Sequence, residues 1–250
     1  MSLFTPTRIT GSSVRPGDRN FRFTTTAAGI GVLGVLAAIA AFLIWQSIPA
    51  LQNNTGNVFT NQQWLPDADP PEWGIAVLIF GTLWTSLIAM VLAVPIGIGT
   101  ALFITFYAPR RIARTLGFVV DLLAAVPSII FGLWGLYYFM PQIVPAAQWL
   151  SSYLGWIPFF SNDLDLYTKS ILIAGFVLAI MILPTVSAIS REVFWQVPKG
   201  HIEASLALGA TRWEMIRMAV LPFSRPGMIS AVMLGLGRAL GETIAVALIL

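Results

Sequence analysis

Apolar stretches long enough to cross a bilayer recur along this chain, near 27–48, 74–106, 116–140, 170–190 and 227–250. About 20 apolar residues span the hydrocarbon core, so each stretch reads as a transmembrane helix and the chain as an all-α polytopic membrane protein. At 57% hydrophobic and 10% charged residues it is too apolar for a soluble domain of this length. The first run is longer than the apolar core of a signal peptide, and no convincing cleavage site follows it, so it reads as a retained helix. Residues 1–26, rich in Thr, Ser, Pro, Gly and Arg, form a polar tail before it. The last run stops at Leu250 without a polar flank, which predicts a sixth helix beyond it.

Charge placement orients these spans. Arg8, Arg15, Arg19 and Arg22 precede the first run; Arg110, Arg111 and Arg114 follow the second; Arg191, Lys199, Arg212, Arg217 and Arg225 lie between the fourth and fifth. The loops 49–73 and 141–169 carry Asp67, Asp69, Glu72, Asp163 and Asp165 against a single Lys169. By the positive-inside rule the tail, loop 107–115 and loop 191–226 are cytoplasmic, and the other two loops external. The run 74–106 is too long for one upright helix and too short for two. Counting it twice would put the arginines outside, so it is predicted to be one helix bent near Pro95, Gly97 and Gly99. Trp149, Tyr153 and Trp156 mark the second external loop as one that hugs the interface.

The cytoplasmic loop 191–226 has a helix–turn–helix pattern. Pro198 suits a first helical position, and Gly209 tolerates φ > 0 at the helix end. Thr211 caps the next helix, Glu214 completes a capping box, and Pro222 marks where that helix should stop or bend. Trp213, Ile216 and Val220 share one face of it. Such an elbow, with small residues at Ala204, Ala207 and Gly209, fits a partner that approaches closely, or an amphipathic segment lying on the membrane surface.

Three ionisable residues sit in or beside the spans: Asp121, Arg238 and Glu242. A charge at a helix centre costs about 2.5 to 3.5 kcal/mol on insertion scales, so each needs a partner, water or a task. Arg238 and Glu242 are four apart and can pair on one helix face, beside Gly235, Gly237 and Gly241. Two readings follow. The pair neutralises itself and helps helices associate, or the guanidinium meets an oxyanion along a path while Glu242 holds it between substrates. Asp121, close behind Arg114, is read either as a structural interfacial carboxylate or as part of that path.

The loop resembles the EAA loop of bacterial ABC importer permeases. The consensus Glu-Ala-Ala-x3-Gly-x9-Ile-x-Leu-Pro is matched at Glu203, Ala204, Gly209, Leu221 and Pro222, with Ser205 and Ala219 departing to small residues. The stretch Met233–Thr243, the segment Arg191-Glu192-Val193-Phe194 with Val197-Pro198, and the run Asp121–Gly132 are similar to the C-type permease subunits of phosphate-specific ABC importers. This resemblance covers most of 75–250. It implies a type I ABC importer permease fold whose core, 74–250, includes the coupling loop. It implies a second permease subunit, two ATP-binding subunits and an external phosphate-binding protein, in a bacterial cytoplasmic membrane. It assigns Glu203, Ala204, Gly209, Thr211, Glu214 and Pro222 to ATPase coupling, and Arg238, Glu242 and Asp121 to the substrate path.

No Gly-rich loop ending in Gly-Lys-Ser/Thr occurs, so no cofactor is expected in this chain, and ATP and Mg belong to a partner ATPase. His201, the single histidine, lacks companions for a metal site, and there is no cysteine and no hydrolytic triad. Two rivals stand beside phosphate import. One is a permease for sulfate or molybdate; the other is an ion-coupled secondary transporter using Asp121 and Glu242 as proton sites.

Overall fold

The computed structural model describes residues 16–157 and 170–250; the expected features at Arg8, Arg15, Asp163, Asp165 and Lys169 lie outside these. The chain divides into two compact units, Met1–Ala76 and Val77–Leu250.

The first unit is dominated by α1 (Pro16–Asn53), which starts within the segment read as tail. Pro16 occupies the first helical position, where its missing N–H costs nothing. Thr24 and Thr25 fold their hydroxyls back onto the carbonyls of Asn20 and Phe21, so polar residues are carried without breaking the helix. The helix is apolar on all sides and exposed along almost its whole length, which fits a lipid-surrounded span. The loop after it is more ordered than a plain solvated connection. Asn54 accepts from the N–H of Gly56 and of Trp73 and donates to the Trp73 carbonyl. These bonds hold a small antiparallel ribbon of β1 (Trp64–Leu65) and β2 (Glu72–Trp73), on which the rings of Trp64 and Trp73 meet edge to face.

In the second unit α2 (Ala76–Leu102) continues through a π-turn, Phe103–Tyr107, as one uninterrupted span that takes in Pro95. This is the single long helix that charge placement required. The third span differs from its expected 116–140. The amphipathic α3 (Arg110–Ala124) ends there, and after a break at 125–127 a new helix runs through α4 (Ser128–Trp134), a π-turn at Gly135–Phe139 and α5 (Met140–Leu154). Pro127 is the cause: it disfavours a helical Val126, and its ring clashes with a continuing helix. Half of the expected external loop 141–169 is therefore helical, with Trp149 and Tyr153 exposed on α5 and stacked at 5.1 Å.

The fourth span, α6 (Ile171–Trp195), is the hub. It is the only candidate span among the described residues that is more than half buried, and it packs against α2, α3, α4 and the last two helices. Its Ser187 and Ser190, with Ser86 and Ser224 from neighbouring spans, bury small hydroxyls where backbones approach. In lipid, such packing replaces the hydrophobic effect as the force between helices. The fifth span also departs from its expected 227–250. After α7 (Lys199–Ala207), a continuous helix runs from α8 (Arg212–Met215) through a π-turn, Ile216–Val220, into α9 (Leu221–Leu240). It stops at Gly241, and α10 (Ile244–Ile249) begins after a second break. Gly132 lets α10 seat on α4, since a Cβ there would fall 2.8 Å from the Ala245 Cα.

Among the described residues five helices are thus long and apolar enough to cross a membrane, with α3, α7 and α10 as shorter elements.

Candidate functional site

The elbow at one end of the long helix is built as its residues require. Gly209 adopts φ 85°, a left-handed conformation in which a side chain would be strained. Its N–H and that of Ala210 return to the Leu206 and Ser205 carbonyls, closing α7. The capping box is complete: Thr211 Oγ1 accepts from the Glu214 N–H, and Glu214 Oε2 accepts from the Thr211 N–H at 2.8 Å. The helix does not stop at Pro222: it passes through the residue by way of a π-turn just before it, with the Leu221 N–H reaching the Ile216 carbonyl.

The inner face of the elbow rests on a core of Ala101, Phe194, Val197, Met215, Ile216 and Val220. Its outer face is a cleft of about 530 Å³ lined by small residues, among them Ala204, Gly209, Ala210 and Ala219. Leu208, 89% exposed, and Met218 offer apolar surface at its rim, while Glu203 and Glu214 are exposed charges beside it. His201 is exposed and lies against Phe223.

At the other end of the same helix the charges are arranged differently from the expected Arg238–Glu242 pair. Arg238 Nη1 donates to Thr185 Oγ1 at 2.6 Å and to the Ala124 carbonyl at 3.4 Å. Glu242 Oε1 accepts from the Ala245 N–H at 2.9 Å and so caps α10. No Arg238–Glu242 ion pair exists among the described residues. The four-residue spacing presumed one helix, but α9 terminates at Gly241 and Glu242 leaves the Arg238 face. Among the described residues both hydrogen bonds of Arg238 leave from Nη1, and Nη2 and Nε carry none and are not sealed in the interior.

Arg238 lies at the end of α9 and bonds to the last carbonyl of α3. Two interrupted helices therefore meet at a half-buried guanidinium. Irregular backbone at membrane depth is tolerated where it is buried in protein or lines a cavity, and helix breaks of this kind carry substrate sites in transporters.

Asp121 belongs to a different contact. Both its oxygens accept from Arg191 Nη2, at 2.6 and 2.8 Å, tying α3 to α6. Arg191 is 4% exposed, stacks over Trp195 at 5.0 Å, and leaves Nε without a hydrogen bond. Gly117 makes room for it, since a Cβ there would run into Nη1. Asp121 itself is about half exposed. The sequence placed Arg191 among the loop charges and in a family-like segment but gave it no partner. The useful signal was an acidic residue on the otherwise basic and apolar α3, which needed a cation from another element.

Five apolar spans, a capped elbow at one end of a continuous helix and a guanidinium at its other end define a multi-pass helical membrane protein with the parts of a transport subunit. Residues 93–250 match the family described as binding-protein-dependent transport system inner membrane component, and the chain belongs to this family. Its fold is the type I ABC importer permease fold that the coupling loop implied. The chain is 49% identical over 239 residues to the phosphate transport system permease protein PstC 2 of Mycobacterium tuberculosis, covering 94% of this chain and 74% of that one. It is 46% identical to PstC of Mycobacterium leprae, covering 98% and 78%, and 40% identical to PstC of Xylella fastidiosa strain 9a5c, covering 98% and 79%.

Proposed function

We propose that this chain is a permease subunit of an ATP-driven importer of inorganic phosphate. The observation that carries the reading is Arg238, a planar, permanently charged fork at the meeting of two helix breaks, with two nitrogens free for an oxyanion. The names of its relatives support phosphate as that oxyanion. The subunit pairs with a second permease, docks two ATPase subunits that hold ATP and Mg, and receives phosphate from an external binding protein in a bacterial inner membrane.

The elbow and the guanidinium share one helix, Arg212–Leu240. At 1.5 Å per residue they stand roughly 40 Å apart along its axis. ATP-driven movement of a subunit seated in the elbow cleft is thereby delivered to the helix end that carries Arg238 as a rigid-body shift. ATP-driven import is favoured over a proton-coupled reading because Asp121 is engaged by Arg191 and Glu242 Oε1 accepts from the backbone of α10.

The substrate is tested by competition. In vesicles holding the complete importer, excess sulfate or molybdate is expected to leave labelled phosphate uptake intact, whereas strong inhibition by either would reassign the substrate. The orientation follows the basic residues, with the amino terminus and elbow inside. Because the chain has no cysteine, an impermeant thiol reagent outside cells should label Asn54→Cys and spare Arg212→Cys; the opposite pattern would invert the topology.

A further inference from the structure

Threonines in these helices normally turn their hydroxyls inward on their own backbone. Thr82, Thr85, Thr105 and Thr115 each donate to the carbonyl four residues earlier, at 2.8 to 3.2 Å. Thr185, inside α6 and directly after Pro184, makes no such bond. Its oxygen accepts from Arg238 Nη1 at 2.6 Å, and its own O–H is uncommitted among the described residues. It is half-buried rather than sealed.

A hydroxyl has one hydrogen to give and two lone pairs to receive. Accepting from a guanidinium occupies a lone pair and polarises the O–H, which becomes the stronger donor. That donor stands one hydrogen bond from a cation whose Nη2 and Nε are free. A rotatable hydroxyl donor bonded to a guanidinium, both half-buried and with the Ala124 carbonyl also accepting from that guanidinium, suits a tetrahedral oxyanion rather than a cation.

We infer that Thr185 is a second anion contact in the translocation path, donating its O–H to an oxygen of the phosphate held by Arg238. This rests on the reading of Arg238 as the anion site. Thr185 sits on the most buried of the candidate spans among the described residues, so it ties the fork to the helix with the most packing around it.

The test uses the complete importer in vesicles and reads phosphate moved per ATP hydrolysed. Thr185→Val keeps the shape and removes the hydroxyl. It should lower that ratio about tenfold, the size expected for losing a hydrogen bond to a charged group. Thr185→Ser, which restores the hydroxyl, should keep the ratio near wild type. A hydroxyl that served only assembly would reduce the amount of complex and leave the ratio unchanged. An unchanged ratio in Thr185→Val, or an equal loss in Thr185→Ser, overturns the assignment. If the valine variant does not assemble, Thr185→Ala provides the same comparison. Arg238→Gln run alongside separates the two claims. Its retained transport would remove the anion site altogether, while its loss with a normal Thr185→Val ratio would remove only Thr185.

Discussion

Replacing Arg238 with glutamine should lower phosphate uptake by about a hundredfold or more while the subunit still inserts and assembles. Removing one member of a desolvated, hydrogen-bonded charge contact typically costs 2 to 5 kcal/mol or more, and here the missing partner is the substrate itself. Assembly should survive because Arg238 carries no ion pair among the described residues. What the variant loses is a bond to Thr185 and a long one to the Ala124 carbonyl. Arg238→Lys then separates charge from shape. Lysine keeps the charge but cannot hold Thr185 and present two further nitrogens in one plane, so a large loss there points to bidentate contact and a small one to electrostatic steering. Wild-type uptake by Arg238→Gln, measured at equal complex content, would remove Arg238 from the path.

Gly209→Val should abolish coupling to the ATPase. The glycine sits at φ 85°, where a β-branched residue costs on the order of 1 to 3 kcal/mol of backbone strain. A side chain there meets nothing within the chain, so the variant does not fail by collision inside the fold. It fails by opening the turn that orients α7 against α8 and by filling the cleft between them. Gly209→Asn tests these two causes separately, because asparagine tolerates the left-handed conformation yet still projects into the cleft. If asparagine restores both co-purification with the ATPase and transport, strain is the cause; if it fails as valine does, close approach of the partner is. Normal co-purification and transport in Gly209→Val would mean that docking occurs elsewhere.

Features governed by local chemistry were legible in the amino-acid sequence. The Thr211–Glu214 capping box, the left-handed Gly209 and the helical nature of the spans follow from residue type and short spacing alone. Charge placement correctly kept the second span as one helix through Pro95. Helix interruptions were harder, though two left traces. Pro127 and Gly241 are ordinary stop signals, but each was embedded in apolar sequence, and hydropathy reads straight through a break that a span-counting argument does not need. At Pro222 the choice between a stop and a bend was not legible, since the π-turn that carries the helix through has no short sequence signature. The Asp121–Arg191 contact joins residues 70 apart and could not be read from spacing. The Arg238–Glu242 pair was the converse case, a spacing argument valid only while the helix continues. Thr185 gave no signal at all until the fold placed α6 beside the end of α9.

The central claim is that ATP hydrolysis in a partner drives phosphate through a path to which this chain contributes Arg238. It is tested most directly by phosphate accumulation in vesicles containing this subunit, its partner permease and the ATPase subunits, with binding protein supplied outside and nucleotide sealed inside. Accumulation against a gradient should require ATP, cease with ADP, and cease when the ATPase subunits are omitted. Phosphate accumulation that persisted without the ATPase subunits, driven by an ion gradient, would contradict it.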